Sequence, residues 1–246
     1  MKILKYGWLG VLVVGVCMAK TSEIVLIVDP RVLAIPVRHS EERLVDFKQQ
    51  SILAYGPSPE IPDNQDYTYV RQTVYDKLVV ANRHLPKGYH FCLYEGYRSL
   101  ALQKLIFDKQ FLTVQQRHPD WSQSQVFQET IKLVSPVVNL DGSANTPPHA
   151  MGSAIDVYLL NDKGQVVDMG IHPKDWMTDA GGVLSMTHST AISKDAQAHR
   201  RLMSEALARE GFVNYPTEYW HWSYGDRYWA YVKGEAQTIY DAVHVP

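Results

Sequence analysis

The chain has 246 residues, 46% of them hydrophobic and 20% charged, with a formal net charge of −2. That is long and apolar enough for one globular core, and a mildly acidic chain without long basic runs gives nucleic acid and anionic membrane no footing as partners. Its two cysteines, Cys17 and Cys92, exclude a Cys₃ or Cys₄ metal site.

Lys2 and Lys5 precede an apolar run from Leu9 to Val16, and no acidic residue comes before Glu23. With small residues at Cys17 and Ala19, residues 1–19 read as an export signal cut after Ala19, which places the protein in the bacterial periplasm or cell envelope. Acylation at Cys17 is the alternative, disfavoured by bulky Val16 in front of the cysteine. The run is too short for an integral membrane span. Losing 1–19 removes two lysines and no acid, taking the formal charge from −2 to −4. Cys92 then stands alone, with no intrachain disulfide available, and its apolar setting His90-Phe91-Cys92-Leu93-Tyr94 suits a small buried hydrophobe.

Residues 20–246 are expected to form a single domain, with 20–65 as an N-terminal arm and loop. The β-branched run Glu23–Val28 predicts a strand or extended arm, and the prolines of 55–65 a loop. Val70, Val74, Leu78 and Ala81 share a helical face, predicting a helix from about Tyr67 to His84, broken by Leu85-Pro86-Lys87-Gly88. His90 to Glu95 reads as a strand. Helices follow over about Ser99–Phe111 and from Ser122, where Ser122 and Gln125 suit a capping box, to before Pro136. Residues 136–148 are irregular, and Ser153–Leu160 alternates as a strand with a turn at Asn161–Gly164. Residues 170–190 form a long loop of the kind kept for function. Ser193 caps a helix of about sixteen residues closed by Gly211. Strands are predicted around Phe212–Asn214, Tyr219–Tyr224 and Tyr228–Val232, the last two joined by a hairpin at Gly225-Asp226. The fold class is α+β: a small antiparallel sheet flanked by helices, with a metal site on the sheet.

The chemistry gathers in Pro148-His149-Ala150-Met151-Gly152-Ser153-Ala154-Ile155-Asp156 and Glu218-Tyr219-Trp220-His221. A catalytic zinc needs three protein ligands, an open position and a nearby base. On a strand, Ala154, Asp156 and Tyr158 share one face while Ile155, Val157 and Leu159 share the other. A carboxylate on an apolar strand demands a partner, and the small residues 152–154 allow His149 to bend back toward it. His221 alone would more often be a packed imidazole, as would His149; together with Asp156 and Glu218 they point to metal. Glu218 can face the same site only if it lies in a turn after Pro216-Thr217, before the strand begins. His84, His90, His118, His172, His188, His199 and His244 lack such context. Asp226 could serve as an outer partner of a ligating His, but a hairpin turn accounts for it more simply. The surrounding aromatics read as core, with one ring lining the cleft. Arg98 opens a helix and could hold an oxyanion; on spacing alone an exposed helix-start Arg is the better explanation.

Gly96-Tyr97-Arg98, His149-x-x-Gly152-x-Ala154-x-Asp156 and Glu218-x-x-His221, in this order, resemble the VanX-type D-alanyl-D-alanine dipeptidases, zinc D,D-peptidases, over roughly Tyr67 to Trp229. The resemblance implies one Zn²⁺ per chain on His149, Asp156 and His221, Glu218 as general base and acid, Arg98 stabilising the transition state, and a small D-dipeptide as substrate. The chain departs from the family pattern in its Pro-rich 52–66 and in Pro147, where a Ser is usual. Asp175 is a candidate partner for the substrate ammonium. Two rivals stand beside this reading: a D,D-carboxypeptidase or endopeptidase acting on peptidoglycan stem peptides, and a non-catalytic wall-binding module of the same fold. Intact Glu218 and Arg98 count against the second, since a pure binder needs neither.

Overall fold

A computed structural model of the protein describes residues 24–59, 64–179 and 181–245. The expected export segment 1–19 and the alternative at Cys17 lie outside the described residues. Residues 24–28 form no strand. Val25, Leu26 and Ile27 instead pack against a small cluster around Val32, Val213, Tyr215 and Trp229. Asp29 then caps a short helix α1, Pro30–Leu33, its side chain accepting from Arg31 N, because Pro30 at the first helical position cannot continue a strand ladder.

Strand β1, Leu44–Asp46, and the two-residue β2, Ala54–Tyr55, precede β3, Tyr69–Arg71, which pairs antiparallel with β1. The predicted helix therefore starts later, as α2, Gln72–His84. Its expected first turn is diverted by partners far along the chain. The carbonyl of Tyr67 accepts from Gly96 N at 2.6 Å and that of Tyr69 from Tyr97 N at 2.7 Å, so neither is left for a helical i+4 amide.

β4, Tyr89–Glu95, follows. Helix α3, Leu100–Arg117, is capped by Ser99 and runs six residues past the expected Phe111, because Gln103, Ile106, Gln110 and Val114 continue one buried face at three- and four-residue spacing. α4, Gln123–Thr130, has the expected Ser122–Gln125 capping box. β5, Ala154–Asn161, α5, Lys194–Arg209, capped by Ser193, and β6, Val213–Asn214, fall where the sequence places them.

The C-terminal region differs. β7 is confined to His221–Ser223, and residues expected as the next strand form helix α6, Arg227–Lys233. Asp226 is not a hairpin residue but the N-cap of α6, its Oδ1 accepting from Trp229 N at 2.9 Å, a contact worth about 1 kcal/mol in typical helices. Tyr228, Trp229 and Ala230 are buried at consecutive positions, which a half-exposed strand cannot achieve, and Gly234 closes the helix at φ 73°.

The main sheet has the order β2-β4-β5-β7-β6. It is antiparallel except at its edge, where β2 runs parallel to β4; α2 lies in the connection between them, as a parallel crossover requires. Val74, Leu78 and Ala81 of α2 and Met203 and Leu207 of α5 bury one face of this sheet with Ile155, Val157 and Leu159. The opposite face, carrying Cys92, Tyr94 and Tyr158, is left for the site. No described helix is long and apolar enough to cross a membrane.

Candidate metal and catalytic site

The pleat of β5 delivers the first candidate ligand. With Ile155, Val157 and Leu159 in the core, Asp156 emerges on the other face. β7 pairs with β5 so that His221 stands directly opposite Asp156, and Glu95 stands opposite it on the β4 side, past a register shift between Leu93 and Glu95. His149 arrives from a single 3₁₀ turn, Pro148–Met151, closed by Gly152 in the left-handed region at φ 67°. A Cβ at Gly152 would also lie 2.7 Å from Leu44 Cδ2, so this sharp return of the chain needs glycine. Gly96 is needed for a different reason: a Cβ there would meet Tyr69 O at 2.5 Å. Its own carbonyl accepts the Nδ1 proton of His149 at 2.6 Å.

The three residues, each 4% exposed, converge through their side chains. His149 Nε2 lies 3.2 Å from His221 Nδ1 and 3.5 Å from Asp156 Oδ2, and His221 Nδ1 lies 3.1 Å from Asp156 Oδ1. Tetrahedral zinc with bonds of about 2.0–2.2 Å sets neighbouring ligand atoms ~3.3–3.6 Å apart, close to these separations. With its Nδ1 proton committed to a carbonyl, the neutral His149 ring turns a lone pair at Nε2 toward the other two groups. A cation is what this set of acceptors lacks, and all their ligand atoms lie within 4.8 Å of one another. The residues fit zinc.

The electrostatics agree. Burial works against an ionised Asp156, yet positive charge shared between it, His149 and His221, as a proton or as a metal cation in its place, holds its carboxyl well below the usual range. Burial likewise opposes a charged His221, but the Asp156 hydrogen bond and charge push its pKa up.

Glu218 sits in the turn that the sequence requires. Its N–H donates to Tyr215 O at 2.9 Å and its carbonyl accepts from His221 N at 3.1 Å, so the regular strand begins only at His221. Its Oε2 is 4.0 Å from His221 Nδ1 and accepts from Trp220 Nε1 at 3.2 Å. Burial, with repulsion from Asp156 and against the pull of His221 and Arg98, pushes its carboxyl up to about 7, which suits a group that takes and returns a proton near neutrality.

Arg98 is not an exposed helix-start residue: its side chain is 13% exposed. Glu95 grips it with both oxygens, Nε donating to Oε1 at 3.0 Å and Nη2 to Oε2. Nη1 donates to Gln103 Oε1 at 2.9 Å, and Gln103 in turn donates to Ser135 O at 2.6 Å. Neither Glu95 nor Gln103 stands out in the sequence. The available signal is a carboxylate ending an apolar strand three residues before Arg98. Of the aromatics expected as core with one ring lining the cleft, two line it, Tyr215 and Trp220.

His149, Asp156 and His221, with Glu218, Arg98 and Glu95, all border one cleft of about 740 Å³, open mouth included. Pro173 and Trp176 of the long loop, and Ile131 and Leu133 after α4, form its walls. Asp175 borders a separate groove, with Tyr219 and Asp168, and is not brought to the cleft. None of the described residues of 55–65 borders the cleft.

Residues 61–242 match the peptidase family described as D-ala-D-ala dipeptidase. A D-alanyl-D-alanine dipeptidase from Synechocystis sp. is 26% identical over 222 residues, covering 81% of this chain and 88% of the relative. Among solved structures, VanYB in complex with D-Alanine-D-Alanine is 19% identical with a TM-score of 0.39, covering 75% of this chain and 92% of that one. A mutant of the vancomycin resistance D,D-pentapeptidase VanY in complex with Zn(II) is 16% identical with a TM-score of 0.38, covering 75% and 94%.

Proposed function

The chain belongs to the D-ala-D-ala dipeptidase family and is a zinc metallopeptidase; from that premise we propose that it hydrolyses the D-Ala-D-Ala dipeptide, in the turnover of peptidoglycan. The observation that carries this reading is the convergence of His149, Asp156 and His221 in one cleft with a carboxylate, Glu218, 4.0 Å from a ligand nitrogen. His149, through Nε2, Asp156 and His221, through Nδ1, would hold the metal. Zinc, when bound, polarises the scissile carbonyl and brings the pKa of a water down to about 7.

The proton traffic belongs to Glu218. Its carboxylate takes the proton of the attacking water and passes it to the nitrogen of the leaving amine, a task matched by a carboxyl at about 7. Trp220 holds the carboxylate in place. Arg98, fixed by Glu95 and Gln103, presents its cation to the negative charge that develops on the carbonyl oxygen. Because Glu95 and Gln103 already hold the guanidinium, it need not reorganise during the reaction.

The preference for a dipeptide is supported by the part of the long loop that walls the cleft. A dipeptidase must recognise a free amino and a free carboxyl end, so its cleft should be closed at both. Pro173 and Trp176 bring the long loop onto the cleft, with proline limiting the entropy of ordering it. D-Ala-D-Ala should therefore be cleaved, with little or no D-Ala released from an N-acylated tripeptide ending in D-Ala-D-Ala. Free D-Ala measured after incubation of the zinc-loaded enzyme with each substrate decides this; faster release from the tripeptide would favour the carboxypeptidase reading.

Export to the cell envelope belongs to the same proposal, on the pattern of Lys2, Lys5, Leu9–Val16 and Ala19. Intact-mass measurement of the protein recovered from its native host should give a chain beginning at Lys20, and a chain retaining residues 1–19 would contradict it.

A further inference from the structure

Arg200 on α5 is 1% exposed, and a buried guanidinium is costly unless its protons find acceptors. The acceptors it finds are backbone carbonyls. Nε donates to Met169 O at 2.8 Å, Nη2 donates to the same carbonyl and to Leu184 O at 2.8 Å, and Nη1 donates to Met186 O at 2.6 Å. These carbonyls stand near the two ends of the long loop whose Pro173 and Trp176 wall the cleft. The guanidinium carbon also lies 4.0 Å from the ring centroid of Tyr219, whose hydroxyl donates to Ile171 O at 2.6 Å. Gly170 lies between these anchors at φ 90°, and a Cβ there would stand 3.3 Å from Arg200 Nη2 and 2.4 Å from Ile192 Cγ2, so only glycine lets the chain pass this close. Tyr219 follows Glu218 directly, and its N–H donates to Ser185 O at 2.9 Å. The turn that carries Glu218 and the loop that walls the cleft are thereby fixed to one another.

We infer that Arg200 and Tyr219 are positioning residues that set the substrate length the cleft accepts, by holding the wall formed by Pro173 and Trp176 in place against the turn of Glu218. The wall belongs to a short 3₁₀ stretch, Pro173–Thr178, outside the sheet, so its place depends on the anchors at the ends of its loop. A planar fork can hold carbonyls from two separate segments at once, which a single ammonium cannot reproduce. A wall released from these anchors would lose contact with the dipeptide and leave room for an acylated amino end. The inference rests on the proposed D-Ala-D-Ala dipeptidase activity.

The test measures kcat and KM of the zinc-loaded parent, Arg200→Lys and Tyr219→Phe on D-Ala-D-Ala and on the N-acylated tripeptide ending in D-Ala-D-Ala, with the zinc content and unfolding temperature of each protein. Arg200→Lys keeps the charge and loses the fork, whereas Tyr219→Phe keeps the ring beneath Arg200 and loses only the bond to Ile171 O. In both, KM for the dipeptide should rise ~3–10-fold, the scale of one or two lost hydrogen bonds, with kcat changed less than KM and zinc content at the parental level. The ratio of kcat/KM for the tripeptide to that for the dipeptide should rise in parallel. A parental ratio in either folded variant overturns the inference, whatever the unfolding temperature does, because a purely structural role moves stability alone. Should Arg200→Lys fail to fold, the ratio in Tyr219→Phe decides. A parent that prefers the tripeptide overturns the dipeptidase reading and the inference with it.

Discussion

Glu218→Gln is expected to keep zinc and the fold while kcat falls on the order of 10²-fold or more, the usual cost of removing a general base. The amide is nearly isosteric, and its oxygen can still accept from Trp220 Nε1, which now lies 3.2 Å from Glu218 Oε2. What it cannot do is take a proton. Removing the charge also relieves the burial and Asp156 repulsion that push this carboxyl up to about 7, so stability should not suffer. Steady-state kinetics with D-Ala-D-Ala, alongside elemental analysis of the same preparation, separates the two roles. Near-parental kcat with full zinc would remove Glu218 as the base.

The second large effect concerns the metal itself. Purified parent protein should carry stoichiometric zinc, and His149→Ala and Asp156→Ala should each lose most of it, beyond the ~10–100-fold that outer partners contribute, with hydrolysis lost in parallel. His149→Ala removes one of two nitrogen donors 3.2 Å apart and leaves the Gly96 carbonyl without its imidazole partner. Asp156→Ala removes the single anionic ligand, whose hydrogen bond and charge sustain His221 against burial. Elemental analysis reads both directly. Unchanged zinc content in both variants would dismiss the assignment and return these residues to a buried hydrogen-bonded cluster.

Which of these residues could be found without a structure follows from how local their signals are. The two-residue period of Ala154 to Leu160 sorts Asp156 from its apolar neighbours because pleating is a property of the strand itself. The Ser122–Gln125 box and the Ser193 cap are read correctly for the same reason: the groups that satisfy each helix end lie within three residues of it. The small residues after His149 mark a sharp return of the chain, and Pro216-Thr217 marks the turn that brings Glu218 to His221's side. Local patterns thus pointed to His149, Asp156 and His221, which the fold brings together, and to most of the elements that carry them.

Tertiary structure decided the rest, wherever a group's partner lies far along the chain. Tyr67 to Arg71 carry a helical pattern, but Gly96 and Tyr97 claim the carbonyls of Tyr67 and Tyr69. Asp226 suits a turn or an N-cap equally in one dimension, and the consecutive burial of Tyr228, Trp229 and Ala230 against Val32 and Val213 selects the helix. Glu95 reads as the end of a strand until its carboxylate is seen to grip Arg98, and Gln103 as an ordinary helix residue until it bridges Arg98 to Ser135. Periodicity and capping report on neighbours within a few residues, whereas a buried ion pair, a diverted carbonyl or a cleft wall is set by where the folded chain brings distant polar groups that cannot be buried unpaired.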